Sequence, residues 1–214
     1  MPQASVHVID DDPGVLRAIS RQLRSYHYQV QAYESAEKFL EQELPTTTAC
    51  LVLDLKMPER GGLELQDLLS KRDSYLPIIF VSGHADVASS VQAMKAGAID
   101  FLTKPFNDVE LISAVQIALE RSQQVQEARR LLSEDRNAFA TLTSRERDVC
   151  LRIAQGLLNK QVGFELGTTE KTVKAQRARV MQKLGASSLA DVIRLVERLK
   201  VAGEITPSPA PPRQ

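Results

Sequence analysis

The chain has 214 residues, 43% hydrophobic and 25% charged, and no apolar run approaches the roughly 20 residues that a membrane helix needs. Its start, MPQASVHVIDDD, lacks the basic and apolar regions of a secretion signal, so a cytoplasmic protein is expected. The zero formal net charge conceals −7 over residues 1–120 and +6 over residues 141–202, which points to two domains, the second suited to a polyanion.

In chain order, residues 5–9 read as a strand and residues 13–25 as an amphipathic helix with Val15, Leu16, Ile19 and Leu23 on one side. Strand-like runs recur at 28–32, 49–53, 77–81 and 98–102, with helix-like runs between them at 35–43, 62–73 and 86–96. The runs VHVI, CLVL and IIFV are apolar on both faces, as central parallel strands are. Five strands alternating with helices predict an α/β fold, a five-stranded, doubly wound, flavodoxin-like parallel sheet.

A further helix is expected from Asn107 to about residue 138. Leu111, Ala118, Val125 and Leu132 repeat every seven residues, which suits either a rigid connector or a short dimeric coiled coil. From Leu142 to Ala202 four helical segments follow without a strand, with Gly156, Gly163, Gly167 and Gly185 near their boundaries. The expected organisation is thus 1–122, a helical linker 123–139, an all-α domain 140–202, and a Pro-rich, disordered tail 203–214. Cys50 and Cys150 are far apart, fit no metal spacing, and read as buried thiols.

Polar residues end the apolar strands. Asp10, Asp11 and Asp12 follow the first strand, Asp54 the third and Ser82 the fourth, and Lys104 follows the fifth just before Pro105. In the 2-1-3-4-5 order of this fold class the C-terminal strand ends lie together, and there ligands bind. Clustered carboxylates repel, and a hard cation such as Mg²⁺ relieves that repulsion. One carboxylate can then serve as nucleophile toward a phosphoryl group, with a lysine ammonium and a hydroxyl to hold its oxygens.

Asp10-Asp11, Asp54 in LDLKMP, Ser82 in VSG and Lys104 in FLTKPF together resemble a response-regulator receiver over about residues 4–122. The resemblance implies that Asp54 is the phosphoacceptor and that Asp10, Asp11, Asp54 and the Lys56 carbonyl hold Mg²⁺. It also implies that Ser82 and Lys104 grip the phosphoryl group, and that Lys104-Pro105 is cis. The acidic pair reads as 10/11 or as 11/12. Phe101 reads either as a rotating switch residue or as a core residue of its strand.

In the basic half, Ser144 is the expected N-cap of a first helix, NKQVGFEL a second, and Thr169 the cap of a third over 170–183. Leu189, Val192, Ile193 and Val196 make the apolar face of a fourth. On the third helix Val173, Arg177, Val180 and Leu184 share one face, while Lys171, Ala175, Ala178 and Gln182, flanked by Lys174 and Arg179, share the opposite one. Two alanines between basic side chains suit close entry into a major groove. Glu146 in RER, Gly156, Asn159-Lys160 and Thr172-Val173-Lys174 make the stretch similar to the LuxR/FixJ/NarL-type helix-turn-helix. That resemblance places Lys174, Ala175 and Ala178 nearest the bases, and Lys160, Thr172, Arg179 and Lys183 on phosphates. It departs at Gln176, where His is common, and at Gly163 and Thr168, which replace Ala and Ile; these two are expected at most to loosen the turn, not to change its type.

The two resemblances together imply a transcription regulator switched by a sensor histidine kinase. On phosphorylation it would either dimerise or release its DNA-binding half, and bind double-stranded DNA beside RNA polymerase, with activation the commoner mode. A phosphoaspartate hydrolase would need a second Asp two residues past the nucleophile, where Lys56 stands, so no enzyme is expected. A stand-alone interaction adaptor fits poorly with the basic helical half.

Overall fold

The computed structural model describes residues 4–72, 75–83 and 87–205. The chain divides into two compact units, one ending at Glu127 and the other beginning at Ala128. The expected ends of helices at residues 73 and 86, and the tail beyond residue 205, fall outside the described residues.

The first unit alternates β1 (Ser5–Ile9), α1 (Pro13–Ser25), β2 (Gln29–Tyr33), α2 (Ala36–Leu40), β3 (Ala49–Asp54), α3 (Gly62–Lys71), β4 (Ile78–Ser82), α4 (Val87–Lys95) and β5 (Asp100–Thr103). Helix α5 follows over Asp108–Ala140. The strands are all parallel in the order β2-β1-β3-β4-β5, as expected. β1, β3 and β4 are buried throughout, which explains their unbroken apolar runs.

Alternation along these strands splits the core into two layers. Val6, Val8, Cys50, Val52, Ile79 and Val81 pack with Leu16, Ile19 and Leu23 of α1 and with Leu111 and Val115 of α5. Ile9, Leu51, Leu53, Ile78 and Phe80 pack on the other face with Phe39, Leu65, Leu69 and Ala93. Gly62 starts α3 because that turn runs against β3. A Cβ there would lie 2.5 Å from the Asp54 carbonyl oxygen and 2.8 Å from Phe80 Cε1.

Several edges differ from the periodicity. β5 begins at Asp100 rather than 98, because Gly97 (φ 93°) ends α4 and the Ala98 N–H closes back on the Ala93 carbonyl. α2 is shorter than the expected 35–43, because Ser35 is its N-cap, accepting from the Lys38 amide, and the helix ends at Leu40. Asp54 and Ser82 are the last residues of their strands rather than the first beyond them.

Leu111 and Ala118 of the α5 heptad stripe are consumed within the first unit's core. Leu111, Val115 and Ala118 are buried in the first unit's core, and the buried Ser122 hydroxyl accepts from the Ala49 amide at the head of β3 (3.1 Å). Ser122 suits this packing because its hydroxyl satisfies the buried Ala49 amide.

The second unit contains the end of α5 with α6 (Ser144–Ala154), α7 (Asn159–Glu165), α8 (Glu170–Lys183) and α9 (Leu189–Val201). Its core joins Val149, Ile153, Val162, Val173, Val180, Val192, Val196 and Leu199 to Phe139, with Leu132 packed against it. Leu132 and Phe139 come from the stretch expected as linker, and Asp135 in that stretch takes a two-pronged ion pair from Arg198 of α9. The α6 cap is Thr143, not Ser144: its hydroxyl accepts from the Glu146 amide while the Glu146 carboxylate accepts from the Thr143 amide. Only Thr143 stands three residues before the glutamate that this reciprocal box requires. Thr169 caps α8 as expected, accepting from the Thr172 amide (3.2 Å). The turn before α8 is tight. The Gly163 carbonyl accepts from the Thr168 amide at 2.8 Å, and a Cβ on Gly163 would lie 2.9 Å from the Thr168 oxygen.

Candidate functional site

The parallel register lines up the strand ends. Ile9 is level with Leu53, Asp54 with Val81, and Ser82 with Thr103. Asp10, Asp54, Ser82 and Lys104 therefore emerge at one edge of the sheet. The first three are at most 6% exposed. The Lys104 ammonium donates to Asp10 Oδ2 and Asp54 Oδ1, each at 2.6 Å. The outward oxygens are held by main chain: Asp10 Oδ1 accepts from the Asp12 amide (3.0 Å) and Asp54 Oδ2 from the Lys56 amide (2.7 Å). The Lys104 amide donates to the Ser82 carbonyl (2.8 Å), and the Lys104-Pro105 bond is cis, as the resemblance implied.

Burial pushes the Asp10 carboxyl up against the opposing pull of Lys104. Burial likewise works against the Lys104 charge, but the two carboxylates outweigh it and raise its pKa. The ammonium of Lys104, held between two acceptors 2.6 Å away, is the dominant constraint in the pocket.

Asp12 is the N-cap of α1, its Oδ1 accepting from the Gly14 and Val15 amides, so its carboxylate is committed outside the pocket. Asp10 is thus the buried member of the acidic run, and Asp11 is exposed beside it. Among the described residues no three carboxylate, imidazole or thiol groups stand close enough together to hold a metal as they are placed. The ammonium of Lys104 instead sits between Asp10 and Asp54. Two adjacent carboxylates are nonetheless hard donors of the kind that Mg²⁺ takes, since this ion commonly uses one or two carboxylates and keeps water on its other positions. Phe101 is half-buried and stacks on Phe80, ring centroids 6.2 Å apart.

On the second unit, Val173 and Val180 of α8 are buried, and half-buried Arg177 donates to Asn159 Oδ1 (3.2 Å). Lys171, Lys174, Ala175, Ala178, Arg179 and Gln182 are exposed, as the helical wheel predicts, and Lys160 on α7 is exposed too. Thr172 is exposed and its hydroxyl meets that of Thr169 (2.9 Å). Lys183 is engaged within the fold: its ammonium lies 2.6 Å from Glu146 Oε2 and 3.1 Å from the Thr141 carbonyl, which leaves one of its three donors for another acceptor. The family resemblance singled out Lys183 for a phosphate, but nothing in its surroundings in sequence pointed to a partner 37 residues away.

Residues 6–116 match the family model described as Response regulator receiver domain, and residues 140–196 the one described as Bacterial regulatory proteins, luxR family. Nodulation protein W of Bradyrhizobium diazoefficiens is 44% identical over 204 residues, spanning 95% of this chain and 90% of that protein. The transcriptional regulatory protein FixJ of Azorhizobium caulinodans is 39% identical over 211 residues, spanning 97% of this chain and all of that protein. The solved structure of response regulator StyR superposes with a TM-score of 0.82 at 40% identity, covering 92% of this chain and 99% of that one. A receiver implies a histidine-kinase partner, and a luxR-family domain implies DNA binding. Among the described residues no helix is long and apolar enough to cross a membrane. With a buried, lysine-bridged aspartate pair at one sheet edge and an exposed basic helix on a luxR-family unit, the chain belongs to the two-component response regulators of the FixJ/NarL type, transcription regulators rather than enzymes.

Proposed function

We propose that this protein is a cytoplasmic, phosphorylation-dependent activator of transcription, charged on Asp54 by a sensor histidine kinase. The observation that carries the reading is the Lys104 ammonium shared between Asp10 and Asp54 at 2.6 Å. Such a bridge sets a cation against the attacking carboxylate and supplies a charge for the incoming phosphoryl oxygens.

An Asp54 carboxylate oxygen forms the new P–O bond as the donor's P–N bond breaks, the electron pair leaving with the imidazole. Lys104 turns from the carboxylates to a phosphoryl oxygen, and Ser82, at the end of the adjacent strand, donates to another. Asp10, Asp11, Asp54 and the Lys56 carbonyl would hold Mg²⁺, which when bound neutralises charge on the phosphoryl oxygens. The added charge of nearly two units draws Ser82 inward, and Phe101 follows by changing its pose against Phe80.

The change is read on the α4–β5 surface, where Val87, Val91 and Met94 lie exposed on α4. Three apolar side chains on one short exposed helix favour pairing with a second copy. A dimer would place two copies of α8 on two half-sites of double-stranded DNA, with Lys174, Ala175 and Ala178 toward the bases. Lys160, Thr172, Arg179 and the remaining donor of Lys183 would take phosphates. RNA polymerase is the partner that an activator so placed would meet.

Radiolabelled acetyl phosphate tests the site. The native chain is expected to take label at neutral pH and Asp54→Asn to take none. Label retained by the Asn variant refutes the assignment. A gel shift with and without acetyl phosphate tests the coupling to DNA.

A further inference from the structure

The loop between β3 and α3 contains a strained residue. Glu59 has φ 64°, the left-handed region that a side chain disfavours, and the Arg60 amide closes on the Pro58 carbonyl at 2.7 Å across it. Together these make a γ-turn of the rarer, strained hand centred on Glu59. Such strain persists only where the surroundings impose it.

What surrounds the turn is identifiable. Before it, Leu55 is buried and Met57 packs on the core layer that contains Phe39 and Phe80. After it, the Gly62 amide closes on the Leu55 carbonyl at 3.0 Å. At the turn itself, Arg60 Nε donates to Glu37 Oε1 at 3.1 Å, tying the loop to the first turn of α2. Helix α2 is in turn anchored by buried Ala36 and Phe39. The Glu37 carboxyl is held below its ordinary value by its own backbone amide, with Arg60 and Ser35 contributing. The loop that this pair tethers carries Lys56, whose amide donates to Asp54 Oδ2 at 2.7 Å.

We propose that the Arg60–Glu37 ion pair is a latch that holds the strained β3–α3 turn closed and thereby keeps the Lys56 main chain aimed at the Asp54 carboxylate. Arg60 and Glu37 are positioning residues, and their effect on phosphoryl transfer rests on the reading of Asp54 as phosphoacceptor. With the latch removed the turn relaxes, the Lys56 amide swings away, and Asp54 Oδ2 loses the hydrogen bond that orients it.

The test uses the full chain, with acetyl phosphate as donor and amide hydrogen exchange at Lys56 as an independent readout. Arg60→Ala is expected to slow labelling about threefold, the size a half-exposed ion pair supports, and to speed exchange at Lys56. Arg60→Lys should restore most of the rate. Glu59→Gly removes the strain that the latch opposes, so Glu59→Gly combined with Arg60→Ala should label close to the native rate. A merely structural ion pair would not be rescued by a glycine one residue away. Labelling and exchange unchanged in Arg60→Ala, or a double variant as slow as Arg60→Ala alone, overturns the latch while leaving Asp54 in place. A native chain that takes no label instead overturns the Asp54 reading, and the kinetic role of the latch falls with it.

Discussion

The Lys183 ammonium at the end of α8 lies 2.6 Å from the Glu146 carboxylate near the start of α6. The same carboxylate closes the capping box with Thr143, so one buried group ties a helix start to the last turn of the exposed basic helix.

That relationship sets an acid sensitivity. The Lys183 hydrogen bond, with help from the Thr143 amide, brings the Glu146 pKa from 4.5 to about 2. Because the folded value lies below the unfolded one, the unfolded chain binds more protons in this range. The stabilisation is complete above about pH 4.5 and is lost as pH falls through about 2. Thermal melts of the full chain should therefore show a steeper decline over this window in the native protein than in Glu146→Gln. Parallel declines would show that the pair contributes nothing.

Lys104→Ala leaves the nearly dry Asp10 and Asp54 carboxylates facing each other without a cation. Removing one partner of a buried ionic network costs about 3 kcal/mol, which urea unfolding at neutral pH should detect. Adding Asp10→Asn to that variant should recover most of the loss, because a single carboxylate remains, yet should not restore labelling by acetyl phosphate. No recovery in the double variant would mean that Lys104 stabilises the unit by some route other than the two carboxylates.

Ser122→Ala deletes the acceptor for the Ala49 amide at the buried head of β3. An orphaned buried amide costs roughly 1–3 kcal/mol. Ser122→Thr keeps the hydroxyl and should fall between the native chain and the Ala variant. A native-like midpoint for Ser122→Ala in chemical denaturation would contradict this role.

Base and phosphate contacts on α8 should separate in salt titrations of DNA binding. Arg179→Ala is expected to weaken binding to all sequences alike and to reduce the salt slope by about one. Lys174→Ala should instead relax the preference for one base pair, at about 1–3 kcal/mol. Identical behaviour of the two variants would mean that α8 does not approach DNA by the face bearing Ala175 and Ala178.

The class of the first unit and the residues that end its strands were legible because they follow from local pattern, and the strand order came with the fold class. Unbroken apolar runs mark central parallel strands, and the polar residue ending each run marks the edge. The exposed face of α8 was legible for the same reason, since helical periodicity needs no knowledge of the neighbours. Other features depend on partners distant in sequence. Periodicity showed an apolar seam on α5 but not what covers it, and only packing turns Leu111 and Val115 onto this chain's own sheet and Ser122 onto Ala49. The acidic run did not reveal which aspartate is buried until α1 took Asp12 as its cap. The Glu37–Arg60 and Glu146–Lys183 pairs left no local signal.

The amino-acid sequence by itself determined the two-part architecture and the identity of the chemical groups at each strand end, since hydrophobic period and residue type act over a few neighbouring positions. Only the tertiary structure decided how those groups pair: Lys104 between Asp10 and Asp54, Asp11 left in solvent, and the strained turn at Glu59 tied to α2. Hydrogen bonds and ion pairs act over about 3 Å, a distance that is set by folding and not by separation along the chain.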